Sequence, residues 1–129
     1  MNPAVVYIAS PYTRGDQALN VRCQLAWWDE LFSRGFTPIA PLWSHFQHLH
    51  SPRQYSDWVE YDNRIIALCD ACLRVPATGT PEYFYTQKTS TGADAEVKLF
   101  EKLGKPVFYS LQDLEDWSKR RAEHVVESL

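Results

Sequence analysis

Two carboxylates stand where packed helices should carry apolar side chains. In a helical segment opened by Ser56 or Asp57, the inward stripe runs Trp58, Val59, Asp62, Ile65, Ile66 and Cys69, with Asp62 its only charge. In a second segment, from about Thr91 to Leu103, Ala93, Val97, Phe100 and Leu103 define the buried face and Glu96 falls within it. Asp94, Lys98, Glu101 and Lys102 point outward. A carboxylate on a packed face is costly unless it is paired, hydrogen-bonded or protonated. Two such groups sharing a partly apolar pocket take different pKa values, which separates a nucleophile or base from a general acid. For either acid alone, the commoner role is capping or ion pairing.

The elements that must position these acids alternate short β-branched or aromatic runs with longer helical periods. Ala4 to Ala9 reads as a first strand, stopped at Pro11 and Gly15, with Asp16 as the cap of a helix reaching Arg34. The apolar stripe of that helix is Ala18, Val21, Leu25, Trp28, Leu31 and Phe32, and Gly35 ends it. Phe36 to Pro41 is a second strand, confined to a sheet edge by Pro38, which has no N–H to give a ladder. A loop from Leu42 to Tyr55 precedes the Asp62 helix, and Ala71 to Val75 is a third strand. A long aromatic loop, Pro76 to Thr89, leads into the Glu96 helix, which Gly104 closes. Lys105 to Tyr109 is a fourth strand, and Ser110 with Asp113 resembles a capping box at the start of a last helix.

Strands joined by helices of a dozen residues demand parallel pairing and right-handed crossovers. The expected fold is therefore one α/β domain spanning residues 1–129, a doubly wound, flavodoxin- or Rossmann-like open parallel sheet of strand order 2-1-3-4, with helices on both faces. In that order the crossovers from strand 2 to 3 and from 3 to 4 move the same way, so the Asp62 and Glu96 helices lie side by side on one face. Both begin at the carboxyl edge of the sheet, beside the crevice where strands 1 and 3 diverge.

Composition sets the outer bounds. The 129 residues are 45% hydrophobic and 22% charged, too apolar for a disordered chain and too interrupted for a membrane span. A net charge of −3 announces no nucleic-acid polymer, though a small anion can still have a local site. The N-terminus lacks the pattern of a secretory signal, and Cys23, Cys69 and Cys72 form no disulfide framework, so a cytoplasmic location is expected.

Several blocks resemble one family. Tyr7-Ile8-Ala9-Ser10-Pro11, then Tyr61-Asp62-Asn63-Arg64-Ile65-Ile66 with Cys69-Asp70-Ala71 behind it, then Ser90-Thr91-Gly92-Ala93-Asp94-Ala95-Glu96 and Gly104-Lys105-Pro106-Val107, are similar in order and spacing to the nucleoside 2-deoxyribosyltransferase superfamily. That superfamily includes the 2'-deoxynucleoside 5'-phosphate N-hydrolases, and the likeness covers about residues 4 to 109. It implies that Glu96 attacks C1' of the sugar to form a glycosyl-enzyme, that Asp62 protonates the departing base, and that Tyr7 lies beside both. Such a displacement needs two carboxyls about 5 Å apart and no metal or other cofactor.

Ser90 stands where the transferases of free nucleosides tend to carry Asp. A carboxylate there repels a 5'-phosphate, whereas a hydroxyl at a helix N-terminus attracts one, which favours a nucleotide substrate. Ser90 and Gly92, with Ser10 and Arg14 in the first loop, are the expected substrate donors; Trp43 and His45 are expected to line the base pocket. Tyr83-Phe84-Tyr85 either cover the base or pack on a neighbouring element. The resemblance also implies a homo-oligomer.

The expected activity is hydrolysis of the base–sugar bond of a (deoxy)ribonucleoside 5'-monophosphate. Base exchange by a deoxyribosyltransferase is one alternative, and a non-catalytic nucleotide-sensing module on the same fold is another. His45, His48 and His50 lack a partner at recognised zinc spacing, and Cys69 and Cys72 join a helix end to a buried strand instead of opening a helix as a redox motif does. Neither group is assigned chemistry, and the run Lys119-Arg120-Arg121 is a solvated helix face.

Overall fold

A computed structural model of the chain describes residues 3–13, 15–78 and 90–128, with side chains described up to residue 123. Arg14 and Tyr83-Phe84-Tyr85 lie outside the described residues. Four strands, β1 (Val5–Ala9), β2 (Thr37–Ile39), β3 (Ala71–Thr78) and β4 (Val107–Ser110), form one parallel sheet in the order β2-β1-β3-β4. The helices are α1 (Gln17–Ser33), α2 (Ser44–His50), α3 (Tyr55–Ile66), α4 (Thr91–Lys102) and α5 (Leu111–Ser128). This is the doubly wound α/β arrangement expected from alternating strands and helices, with Pro38 on the edge strand where its missing N–H breaks no ladder.

The sheet separates two cores because side chains alternate along each strand. Val6, Ile8, Leu73 and Val75 point to one face and meet Trp27 and Leu31 of α1 and Leu111 and Leu114 of α5. Tyr7, Ala9 and Cys72 point to the other, against Ile66 at the end of α3 and Ala93, Val97 and Phe100 of α4. α3 and α4 pack against one another, as right-handed crossovers moving the same way require. The register Tyr7↔Cys72 and Ala9↔Arg74 puts those four residues at matching heights on adjacent strands.

Local signals hold the ends of the helices. Asp16 accepts from Leu19 N at 3.0 Å, Ser90 Oγ from Ala93 N at 3.1 Å, and Ser110 Oγ from Asp113 N at 3.1 Å. Gly35 and Gly104, both at positive φ, follow α1 and α4 as left-handed C-terminal caps. Lys105 Nζ donates to the carbonyls of Ile66 at 3.1 Å and Ala67 at 2.9 Å, so a residue two positions before β4 caps α3.

Several expectations require correction. Val59, expected on the inward stripe of α3, is exposed, and β3 continues to Thr78, three residues into the expected loop. Residues 42 to 55 are not an open loop: Pro41–Trp43 form a 3-10 turn that runs into α2. α3 begins at Tyr55 behind Gln54, without a side-chain cap from Ser56 or Asp57. Leu103 is half exposed, because it already belongs to the C-cap of α4. The buried stripe of α1 is Asn20, Val21, Cys23, Gln24, Trp27 and Leu31, while Ala18 and Phe32 face outward. Trp28 lies on the flank and stacks with Phe32 at 5.0 Å between ring centroids. The stripe rotates because two amides do structural work inside it. Asn20 Nδ2 donates to the Tyr12 carbonyl at 3.0 Å. Gln24 Nε2 donates to the Ile8 carbonyl and Ser10 Oγ, and Gln24 Oε1 accepts from Leu42 N at 2.8 Å. A fully buried amide thus ties the end of β1 to the turn after β2.

Candidate active site

The sheet face covered by α3 and α4 brings three expected residues together. Tyr7, fully buried on β1, rises toward α4 and donates its phenolic hydrogen to Glu96 Oε2. Its ring is held against Phe100 at 5.7 Å between centroids, fixing the hydroxyl from below. Glu96 is presented by the inner face of α4, one turn beyond Ala93 and one before Phe100, and it is only partly shielded from solvent. Asp62 comes from the neighbouring α3 and is close enough to raise the pKa of both Glu96 and Tyr7 by repulsion.

Burial governs the ionisation of all three. Loss of hydration pushes Asp62 up to about 7, and the same effect, reinforced by Asp62, pushes Glu96 up to about 8. The Tyr7 hydrogen bond and the charge of Arg74 oppose the rise at Glu96. Tyr7 itself is held well above the usual phenol range by burial and then by the two acids, so it remains a donor. Asp62 Oδ1 is buried with no hydrogen-bond partner among the described residues. Two interacting carboxyls displaced to near neutrality titrate as a pair, whose first ionisation leaves one anion and one acid.

The remaining expected residues fall into separate groups. Ser90 caps α4 through its oxygen, which accepts from Ala93 N, while its carbonyl accepts from Asp94 N, so its hydroxyl stands at the N-terminal end of the helix. Gly92 sits in the first turn, where an added Cβ would lie 3.8 Å from Tyr55 Oη, an ordinary contact. Ser10 is buried and receives the Gln24 amide at 2.8 Å, so it belongs to the clamp beneath the edge. His45 Nδ1 lies 2.6 Å from Tyr12 Oη, at the loop that follows β1. Trp43 packs on Trp28 of α1, with 6.1 Å between ring centroids, and its described contact is on the side of the sheet opposite Glu96.

One charged residue escapes the sequence analysis. Arg74 lies on β3 with its side chain 8% exposed, donates through Nη1 to the Val75 carbonyl, and reaches Asp94 Oδ1 with Nη2 at 3.3 Å. The signal is present in Ala71-Cys72-Leu73-Arg74-Val75: a cation within a buried strand, at the parity of Cys72 and therefore on the side of α4.

Among the described residues, no helix is long and apolar enough to cross a membrane. Comparison of the chain with protein-family models, with curated proteins and with solved structures gives no match.

Proposed function

We propose that the protein is an N-glycosidase that cleaves the base–sugar bond of a (deoxy)ribonucleoside 5'-monophosphate. The observation that carries the proposal is that Asp62 of α3 lies close enough to Glu96 of the adjacent α4 to raise its pKa, with Tyr7 bonded to Glu96. Structural acids are seldom left with a buried oxygen unpartnered, as Asp62 Oδ1 is among the described residues.

The reactive form is the minor one of the singly ionised pair, with the charge on Glu96 and the proton on Asp62. In the first step the Glu96 carboxylate attacks C1' as the C1'–N bond breaks. The bonding pair leaves with the base, and the Asp62 proton neutralises it. In the second step the Asp62 carboxylate takes a proton from water, whose oxygen attacks C1' and displaces Glu96. The products are free base and sugar 5-phosphate, and both carboxyls return to their starting states. Tyr7 steadies the Glu96 oxygen, donating to the carboxylate before attack and after release. The α4 N-terminus, with Ser90 and Gly92, is the element suited to the 5'-phosphate.

The test is chromatography of base released from a panel of nucleotides and nucleosides, with modified pyrimidines included and with or without a second free base. Release of base and sugar phosphate by the wild type, abolished in a folded Glu96→Ala variant, supports hydrolysis. A new nucleoside formed with the second base assigns transfer instead. Tight nucleotide binding without base release, unchanged by Glu96→Ala, makes the protein a sensing module and refutes the proposal.

A further inference from the structure

α2 has no fully buried side chain, so polar contacts carry much of its attachment. Phe46 and Leu49 are exposed, and among the described residues the side-chain bonds that reach out of the helix are made by two ring nitrogens. His45 Nδ1 lies 2.6 Å from Tyr12 Oη, on the loop after β1. Further along, His48 Nδ1 receives the Trp58 indole N–H of α3 at 3.0 Å and the Arg53 backbone N–H at 3.2 Å. A helix of 7 residues is thus strapped between the loop that follows the Tyr7 strand and the helix that carries Asp62.

The two ends answer protonation differently. An indole nitrogen and a backbone amide only donate, so His48 Nδ1 has to be an acceptor and the ring a neutral imidazole with its hydrogen on Nε2. A proton on Nδ1 makes that nitrogen a third donor facing two others, and both bonds are lost. Tyr12 instead offers a hydroxyl, which donates to a bare Nδ1 or accepts from a protonated one, so the His45 bond survives the same change. Acid therefore unfastens one end of α2 and leaves the other held. The ionisable neighbours are His45 and His50 on α2, Arg53 in the turn, and Asp57, Tyr61 and Asp62 around Trp58 on α3. Among the described residues none of their side chains bonds or ion-pairs with His48, whose ring answers to the two N–H donors.

Trp58 stands one turn before Asp62 on α3, edge-on to His48 with 6.0 Å between ring centroids and to Tyr61 with 6.4 Å. We propose that His48 is a positioning residue that acts as a proton-released latch: neutral, it clasps α2 to α3 through Trp58; protonated, it frees the C-terminal end of α2, which swings about the His45–Tyr12 contact. The latch stands on the hydrogen bonds alone, whereas its catalytic consequence rests on the glycosidase proposal. Because α2 joins the loop after the Tyr7 strand to the helix of Asp62, unlatching raises KM more than it lowers kcat.

The experiment follows ring nitrogens and indole N–H groups by 15N–1H NMR on the full chain from about pH 8 to about pH 5, the range in which histidines ordinarily titrate. Spectra of Trp58→Phe and His48→Asn assign the Trp58 indole and the His48 ring. His48→Asn is also the discriminating variant, because its amide oxygen takes up the position of Nδ1 and accepts at every pH. The expected result is an Nε2–H tautomer of His48 at the alkaline end, and exchange protection of the Trp58 indole N–H that falls about tenfold or more as His48 takes its proton. In His48→Asn the protection holds throughout, and the rise in nucleotide KM that wild type shows over the same interval disappears. An Nδ1–H tautomer at the alkaline end, an indole whose protection ignores the His48 titration, or a His48→Asn protein that loses protection with acid as wild type does overturns the inference. A KM that climbs equally in His48→Asn overturns the positioning role. If His48→Asn does not fold, the wild-type tautomer and the Trp58 indole decide. A latch that titrates in a protein releasing no base upholds the inference and refutes the glycosidase. Base release from a protein whose indole ignores His48 does the reverse.

Discussion

Replacing Glu96 by Gln should make the protein more stable, and increasingly so as pH rises. In the folded chain Glu96 holds its proton up to about 8, against 4.5 for the free carboxyl. Between those values unfolding releases a proton, so stability contributed by the neutral form is complete below about 4.5 and is lost as pH climbs toward 8. At about 1.4 kcal/mol per pH unit, the interval from the free value to pH 7 corresponds to roughly 3 kcal/mol. Gln has the same shape, accepts the Tyr7 hydroxyl through its amide oxygen, and carries no charge to desolvate. Urea unfolding of both proteins from pH 5 to pH 8 is the assay. The difference should be under about 1 kcal/mol at pH 5 and grow to about 3 kcal/mol by pH 7 and about 4 kcal/mol by pH 8 in favour of the variant, while base release disappears. A difference that stays flat with pH, or a wild type that is the more stable at pH 8, would refute the claim that Glu96 is held against its own ionisation.

Other outcomes follow from the same geometry. Tyr7→Phe keeps the ring on Phe100 and loses the donor to Glu96, so the lower limb of the kcat/KM profile should rise by about one pH unit or more, a hydrogen bond to a charged group being worth about 1.5–3 kcal/mol; an unmoved limb denies Tyr7 that role. Ser90→Asp preserves a good N-cap, so its melting temperature should match wild type while KM for 5'-monophosphates rises and KM for nucleosides does not; equal effects on both would remove the phosphate from that helix end. Gln24→Ala orphans the Leu42 N–H and releases Ser10 and Ile8, and should cost about 2–4 kcal/mol in urea unfolding without shifting the pH profile. Light scattering on the purified chain should report an oligomer; a 15 kDa monomer would contradict that expectation.

The sheet order was legible because it follows from connection lengths and handedness, which local composition reveals. Pro38 marks the edge, and the equal sense of two crossovers sets α3 beside α4. The rotated face of α1 was not legible, because an apolar-stripe criterion reads Asn20 and Gln24 as solvent-facing. Only the tertiary fold shows the carbonyls and the Leu42 amide that satisfy them. α2 was obscured for a related reason: three histidines and exposed Phe46 and Leu49 give a short helix without a buried face. Arg74 was visible as a charge in a buried strand, but its consequence depends on α4 lying across it, which strand composition does not contain.

The central claim is that Glu96 forms a bond to C1'. Peptide mass mapping after incubation with a 2'-fluoro nucleotide tests it most directly, since the fluorine destabilises an oxocarbenium-like centre and slows the water step. The predicted result is release of base together with a fluoro-sugar-phosphate ester on the peptide carrying Glu96, absent in Glu96→Gln. Base released with no adduct, or an adduct on any other residue, would contradict the account.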